Sequence, residues 1–181
     1  MFSRFVPYSK RKKEFYKIAV ARSDITASLN ACNLLISRVK GMGDPLYMPL
    51  LNALIICYSR PFSDNRPIGA LPGRWGKFSE RQFQQLHNTI LELRNKVIAH
   101  SDLDVRKVFI VPDGAPIGGI GEKSIGLSLA VTFNAIPLDR FPTIGELCLG
   151  LGSRLSHEVD RQLGELFGDK DLSPKEFELK F

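Results

Sequence analysis

The apolar positions in the first part of the chain follow a helical period. Between residues 14 and 40 they recur with a heptad step, and Arg22 stands at the one polar position in the series. This spacing predicts a long helix with a single apolar stripe, ended by Gly41 and Gly43. The stripe comprises Phe15, Ile18, Ile25, Leu29, Cys32, Ile36 and Val39.

Two further helices are predicted before residue 100. Residues 48–59 are apolar on all sides, which indicates a buried helix. Ser79 and Gln82 have the spacing of a capping box, so a helix is expected from there to about His100. Its apolar stripe comprises Phe83, Leu86, Ile90, Leu93 and Val97.

The period changes after residue 104. The run VRKVFIVP is rich in β-branched residues, and between Ile125 and Phe133 every second residue is apolar. This alternation predicts a β-hairpin over about residues 105–136, with one face buried. Thr143 and Glu146 then form a second capping-box pattern, which predicts a last helix ended by Gly168. The stripe of that helix comprises Leu147, Leu151, Leu155, Val159 and Leu163.

The order of these elements predicts a mainly α fold. We expect an antiparallel four-helix up-and-down bundle with a β-hairpin inserted before the last helix. A chain of 181 residues suits one domain, here residues 1–181 with a core at about 14–167. Residues 169–181 are expected to form a mobile tail.

Composition indicates a soluble globular protein, with 44% hydrophobic and 24% charged residues. A net charge of +6 permits a polyanionic partner. No apolar run reaches the length of a transmembrane helix, and the N-terminus lacks the apolar stretch of a signal peptide. Cys32, Cys57 and Cys148 lie scattered in apolar contexts, which predicts reduced core cysteines in a cytoplasmic protein.

Several basic segments are candidates for phosphate contacts. The run of residues 10–13, KRKK, is either a solvated helix end or an RNA contact. The Pro- and Gly-rich loop at 60–78 is either functional or a packed connector, and it carries Arg60, Asn65, Arg66 and Arg74. No metal site is predicted, because neither His87 nor His157 has a histidine or carboxylate partner four residues further on, as a zinc-binding helix has.

The stretch LRNKVIAHSD, residues 93–102, carries the most specific chemistry. One more step of the helical stripe reaches His100, so Arg94 and His100 flank Val97 at roughly 120° from each other. Asn95 adds a neutral donor and acceptor. A purely structural interpretation also exists: the helix dipole favours a C-terminal histidine, and Arg94 could pair with a carboxylate of a neighbouring helix.

This stretch resembles the signature of the HEPN superfamily, an arginine followed by Asn, Asp or His and, after a short interval, a histidine. Five residues intervene here, and AHSD is most similar to bacterial abortive-infection HEPN proteins. The resemblance covers roughly residues 14–167 and implies a four-helix bundle with the motif near the end of its last or penultimate helix. The long hairpin departs from the minimal HEPN bundle.

The resemblance implies a metal-independent endoribonuclease of toxin or phage-defence type that leaves 2′,3′-cyclic phosphate ends. Arg94, Asn95 and His100 would be catalytic; Arg60, Arg66 and Lys96 would contact RNA phosphates. No cofactor is expected. The expected partners are a second copy of the chain, RNA and an antitoxin protein, in the cytoplasm. The alternative is a non-catalytic, homodimeric interaction or scaffold protein.

Overall fold

The structure, a computed structural model, describes residues 8–64, 69–95, 106–116, 123–126, 128–133 and 136–168. These residues contain four α-helices and two β-strands, and the prediction of a mainly α chain is confirmed. The helices are α1 (Tyr8–Arg38), α2 (Tyr47–Ser59), α3 (Arg81–Leu93) and α4 (Phe141–Phe167). Between α3 and α4 lie β1 (Arg106–Val111) and β2 (Ser128–Phe133).

Helix α1 organises the packing of the other helices. It makes its most extensive contacts with α4 and α2, whereas α3 touches α2 and α4 over smaller surfaces. The core between them is formed by fully buried side chains such as Ile25, Leu54 and Leu151. None of the helices in the described ranges is both long enough and apolar enough to cross a membrane.

The apolar stripe of α1 differs in part from the heptad prediction. Ile18, Ile25 and Cys32 are buried as expected, but Ile36 is 49% exposed, so its assignment to the core was wrong. The helical period does not explain this exposure, because Ile36 follows Ile18 by about five full turns and so lies on the same side of α1 as that buried residue. The positions that are buried instead are Ala21, Ser28, Ala31 and Leu35.

The predicted capping box at the start of α3 is wrong. The helix begins at Arg81, and no side chain caps its first turn at Glu80. The Gln84 side chain instead accepts a hydrogen bond from the backbone N–H of Phe78 at 3.1 Å. Its amide nitrogen donates to the carbonyl of Gly76 at 3.2 Å. Gln84 therefore ties the preceding loop to the first turns of α3, which the Ser79–Gln82 pattern does not reveal.

The second predicted capping box, Thr143 with Glu146, is also wrong. Helix α4 begins at Phe141, directly after a 3₁₀ turn at Leu138–Arg140, so Thr143 lies inside the helix. The predicted end at Gly168 is confirmed. In the last turns Leu163 is 41% exposed, contrary to prediction, because the helical period places Gln162 and Leu166 on the buried face.

Strands β1 and β2 pair antiparallel. Arg106 lies opposite Phe133, and Val111 lies opposite Ser128. Beyond the strands, the backbone N–H of Ser124 donates to the carbonyl of Ala115 at 2.9 Å. Ile125, predicted to belong to the alternating strand, is 95% exposed. It precedes Gly126, whose φ of 73° is suited to a turn rather than to a strand.

The loop between α2 and α3 is packed against the helices in its described part. It contains two 3₁₀ turns, at Arg60–Phe62 and Gly73–Gly76. The backbone N–H of Leu71 donates to the carbonyl of Pro61 at 2.7 Å. Leu71 and Trp75 are buried. These contacts give the loop a defined position across the bundle.

His87 joins this loop to α3 and α2. It is only 5% exposed, and its Nδ1 lies 3.0 Å from the Tyr58 hydroxyl. The Phe62 ring packs edge-to-face on the imidazole, with the two ring centroids 4.7 Å apart. The Phe78 ring is tilted against the imidazole, with a centroid distance of 5.3 Å. Burial lowers the pKa of His87 below its usual value. The imidazole therefore serves as a neutral core group.

We predict that Gly76→Ala destabilises the protein by about 1–3 kcal/mol. A Cβ at Gly76 would lie 2.8 Å from Nε2 of His87, which the surrounding rings prevent from moving. Urea unfolding measures the loss. Gly73→Ala, in the same turn, is the matched control because a Cβ there meets nothing within 4 Å. Equal effects of the two substitutions would contradict this packing.

We also predict that the free energy of unfolding falls as the pH drops below about 6.5, the ordinary pKa of histidine. Burial lowers the pKa of His87 in the folded chain, so the unfolded chain takes up the proton first. The stabilisation is complete above that pH and declines below it. Urea unfolding of the wild type, of His87→Gln and of the control His157→Gln tests this. Only His87→Gln should flatten the pH dependence in this range.

Candidate functional site

The candidate site lies where α3 ends. Its last regular turn is held by Ile90, which is fully buried, and by the partly buried Leu93. The helical backbone then widens into a π-type turn at Arg94 and Asn95. The N–H of Arg94 still bonds the carbonyl of Ile90. Wider turns of this kind are frequent at functional positions of helices.

Arg94 and Asn95 contact each other directly. Nη1 of Arg94 donates a hydrogen bond to Oδ1 of Asn95 at 3.0 Å. Arg94 is half-buried and Asn95 is exposed. Because the Asn95 amide is neutral, it orients the guanidinium without cancelling its positive charge. The remaining N–H groups of Arg94 are suited to an anion such as a phosphate.

Three of the predicted site residues lie outside the described residues: His100, Lys96 and Arg66. The proposed pairing of Arg94 with His100 is therefore a prediction that the structure leaves open. Val97, the residue between them on the predicted stripe, also lies outside the described residues.

Arg60 occupies a different place from Arg94. It follows the last residue of α2, and its Nη1 lies 3.5 Å from Oδ1 of Asp24 on α1. Burial raises the pKa of Asp24, and the charge of Arg60 acts against that shift. The two side chains line a cavity with Lys17, between α1 and the α2–α3 loop. Its walls contain no part of α3.

A cavity of about 640 Å³ runs along α3 toward the site. One wall is α3 itself, down to Glu92 and Leu93, and the other comprises residues 136–143. Its lining combines apolar side chains with amide, hydroxyl and charged groups, and the polar residues include Gln82, Gln85, Asn88, Thr89 and Arg140. Such groups can hydrogen-bond the edges of unpaired bases. Along the described part of α3, the lining reaches Leu93, one residue before Arg94.

The cysteines carry no candidate nucleophile. Cys32 and Cys148 are buried, Cys57 is partly buried, and all three are free thiols. Burial raises the pKa of Cys32 to about 11 and that of Cys148 to about 12. Both are therefore protonated and unreactive at neutral pH. Within the described ranges, His, Cys, Asp and Glu form no group that could hold a metal ion.

A second cavity, on the outer side of α4, was missed by sequence reasoning. Its volume is about 770 Å³, and its lining is mostly basic. Arg74 is among the loop side chains that are candidates for phosphate contacts, but the sequence does not predict its position beside α4. The signal that could have found the cavity is the spacing of Arg154, His157 and Arg161, which are three, four and seven residues apart and so share one helical face. Their meeting with Arg74 depends on the course of the loop.

Comparisons with protein-family models, with curated proteins and with solved structures found no match to this chain.

Proposed function

We propose that this chain is a metal-independent endoribonuclease of toxin or phage-defence type, with its active site at the end of α3. The observation that carries the proposal is the 3.0 Å hydrogen bond between Arg94 and Asn95. It orients a charged guanidinium beside a cavity of about 640 Å³. The resemblance of LRNKVIAHSD to the HEPN signature supplies the third residue, His100.

The chemistry needs only these side chains, because RNA carries its own nucleophile. The 2′-hydroxyl attacks the adjacent phosphorus and passes its proton to His100, whose ordinary pKa of about 6.5 suits a general base. Arg94 neutralises the charge that develops on the non-bridging oxygens. The bond to the 5′-oxygen breaks, that oxygen takes up a proton, and a 2′,3′-cyclic phosphate remains. Asn95 positions Arg94.

The proposal includes an arrangement of the whole chain. The four helices form an antiparallel up-and-down bundle, and the paired strands belong to a hairpin inserted before the last helix. Arg66 and Lys96 contact RNA phosphates. Arg60 contacts the strand further away, since its cavity lies between α1 and the loop. An antitoxin protein would hold the activity in check in the cytoplasm.

We further propose a homodimer in which the ends of two α3 helices meet. In a regular α-helix Arg94 and His100 lie roughly 120° apart, so one helix does not easily aim both at one phosphate. A two-fold axis beside α3 would bring Arg94 of one protomer to His100 of its partner.

The purified protein should cleave RNA in the presence of EDTA and leave 2′,3′-cyclic phosphate ends. His100→Ala and Arg94→Ala should each lower the rate by roughly a hundredfold or more, because each removes a group that acts in the transition state. Denaturing gels and end-group analysis measure both. Arg81→Ala, at the exposed start of α3, is the control and should keep full activity.

The stability of the variants distinguishes catalysis from structure. Arg94→Ala should change the free energy of unfolding by about 0.5 kcal/mol or less, as expected for a side chain whose partner is an exposed neighbour. A large loss of stability would instead assign Arg94 a structural role. Intact RNA after incubation with the wild type would favour the alternative, a non-catalytic scaffold protein.

Mixing two inactive variants tests the shared site. In a heterodimer of Arg94→Ala and His100→Ala chains, one composite site loses both residues and the other keeps both. Co-refolding should therefore restore up to about half of the wild-type activity to each heterodimer. If heterodimers form, as shown by mass measurement of a tagged chain, and yet stay inactive, each site lies within one protomer.

A further inference from the structure

The cavity on the outer side of α4, of about 770 Å³, has a mostly basic lining. Three arginines and one histidine line it together with one carboxylate. Arginines therefore outnumber carboxylates by two in the lining. The lining comprises Arg74 and Trp75 from the α2–α3 loop, and Arg154, His157, Glu158 and Arg161 from α4.

Arg154 is held in place without losing its charge. Its Nη2 donates to the carbonyl of Arg74 at 3.2 Å, and its Nη1 donates to the carbonyl of Lys77 at 3.4 Å. The guanidinium carbon lies 5.4 Å from the Trp75 ring centroid. These partners are neutral, so the orientation of Arg154 is fixed while its positive charge stays available to a ligand.

Arg74 brings a second charge to the same indole. Its guanidinium carbon lies 5.9 Å from the Trp75 ring centroid. Two guanidinium groups thus lie beside one aromatic ring, where each repels the other. An anion between them would relieve that repulsion and accept hydrogen bonds from both.

Glu158 partly offsets this charge through Arg161. Nε of Arg161 donates to Oε2 of Glu158 at 2.9 Å, and Gln162 donates to the same carboxylate at 2.7 Å. Arg161 also pairs with Glu165. These contacts lower the pKa of Glu158 to about 2, so its carboxylate is charged at neutral pH. Arg161 is compensated, and Arg74 and Arg154 supply the excess charge.

We infer that this cavity binds a phosphate group, carried either by a nucleic-acid strand or by a small phosphate compound. A stacked base is not accommodated, because Trp75 is only 6% exposed and Arg154 lies over its ring. Paired guanidinium groups match the geometry of phosphate oxygens. The inference is independent of the proposed RNA cleavage, since it concerns binding on a different helix.

Trp75 supplies the measurement, since it is the only tryptophan in the sequence. Its emission is followed in the intact protein during titration with pyrophosphate and, separately, with a short single-stranded DNA, at constant ionic strength. DNA lacks the 2′-hydroxyl, so the proposed cleavage cannot occur, and binding is measured whether or not the chain is a ribonuclease. A saturable change in emission is expected with at least one probe.

Three variants test whether the change in Trp75 emission reports binding in this cavity. Arg74→Gln should weaken binding roughly tenfold or more, the usual effect of losing a charge-assisted hydrogen bond. Glu158→Gln should strengthen it, because it removes a negative charge from the lining and leaves Arg161 with one carboxylate partner, Glu165, instead of two. Arg22→Gln, exposed on α1 and outside the cavity, is the matched control and should bind like the wild type. A gain of affinity cannot arise from misfolding, so Glu158→Gln protects the test against that artefact.

The two probes separate the sources of the phosphate. Binding of DNA with an affinity that falls steeply with salt supports a nucleic-acid strand. Binding of pyrophosphate alone supports a small phosphate compound. The inference is overturned if neither probe changes the emission, or if Arg74→Gln and Arg22→Gln weaken binding equally.

Discussion

The close contact between α1 and α4 is the constraint on which the remaining elements depend. On the α1 side the contact is made by small or medium side chains, Ser28 and Cys32, and on the α4 side by Cys148 and two glycines. A Cβ added at Gly145 would lie 3.8 Å from Sγ of Cys32, an ordinary contact distance. At Gly145 and Gly152 no α4 side chain separates the two helices, so Cys32 and Ile25 of α1 approach the α4 backbone closely within a core that also contains large side chains such as Leu151.

Polar atoms in this contact are satisfied by the backbone. Oγ of Ser28 donates to the carbonyl of Leu54 on α2 at 3.1 Å, and it lies 3.8 Å from Sγ of Cys148. Sγ of Cys32 donates to the carbonyl of Phe141 at 3.2 Å. One small-residue contact thus joins three helices. Buried polar groups that are bonded in this way specify which helices pack together.

How well each sequence prediction agrees with the fold depends on the type of residue pattern behind it. Large apolar residues predicted all four helices, through a helical period in three of them and through apolar residues on all sides in α2, because burial of such residues is the main driving force of folding. The same criterion overlooked Ser28 and Ala21, which are buried because of their small size, and it placed the exposed Ile36 in the core. Capping boxes failed because loop contacts, such as those of Gln84, determine where α3 begins.

The candidate sites also show that contacts between distant parts of the chain cannot be predicted from local sequence patterns. Arg94 and Asn95 are adjacent in sequence, so their interaction could be predicted from a local motif. Arg74 and Arg154 are 80 positions apart and meet only because the packed loop crosses α4. No local pattern contains that information. Sequence reasoning therefore leads to the candidate pair that one helix carries and misses the basic cavity that two elements build.

The two sites lie near opposite ends of α3. Arg154 also borders a cavity with Phe83 and Lys77, at the start of the helix, whereas Arg94 directly follows its last residue. A helix of 13 residues is on the order of 20 Å long at 1.5 Å per residue. A single RNA strand that touched both sites would have to span that length, and the cavity lined by α3 and residues 136–143 lies along the same helix. The phosphate contact on α4 would then be made equally in the ground state and in the transition state, so it would affect substrate affinity rather than the rate of the bound complex. Recognition and cleavage would depend on different residues, joined by the length of one helix.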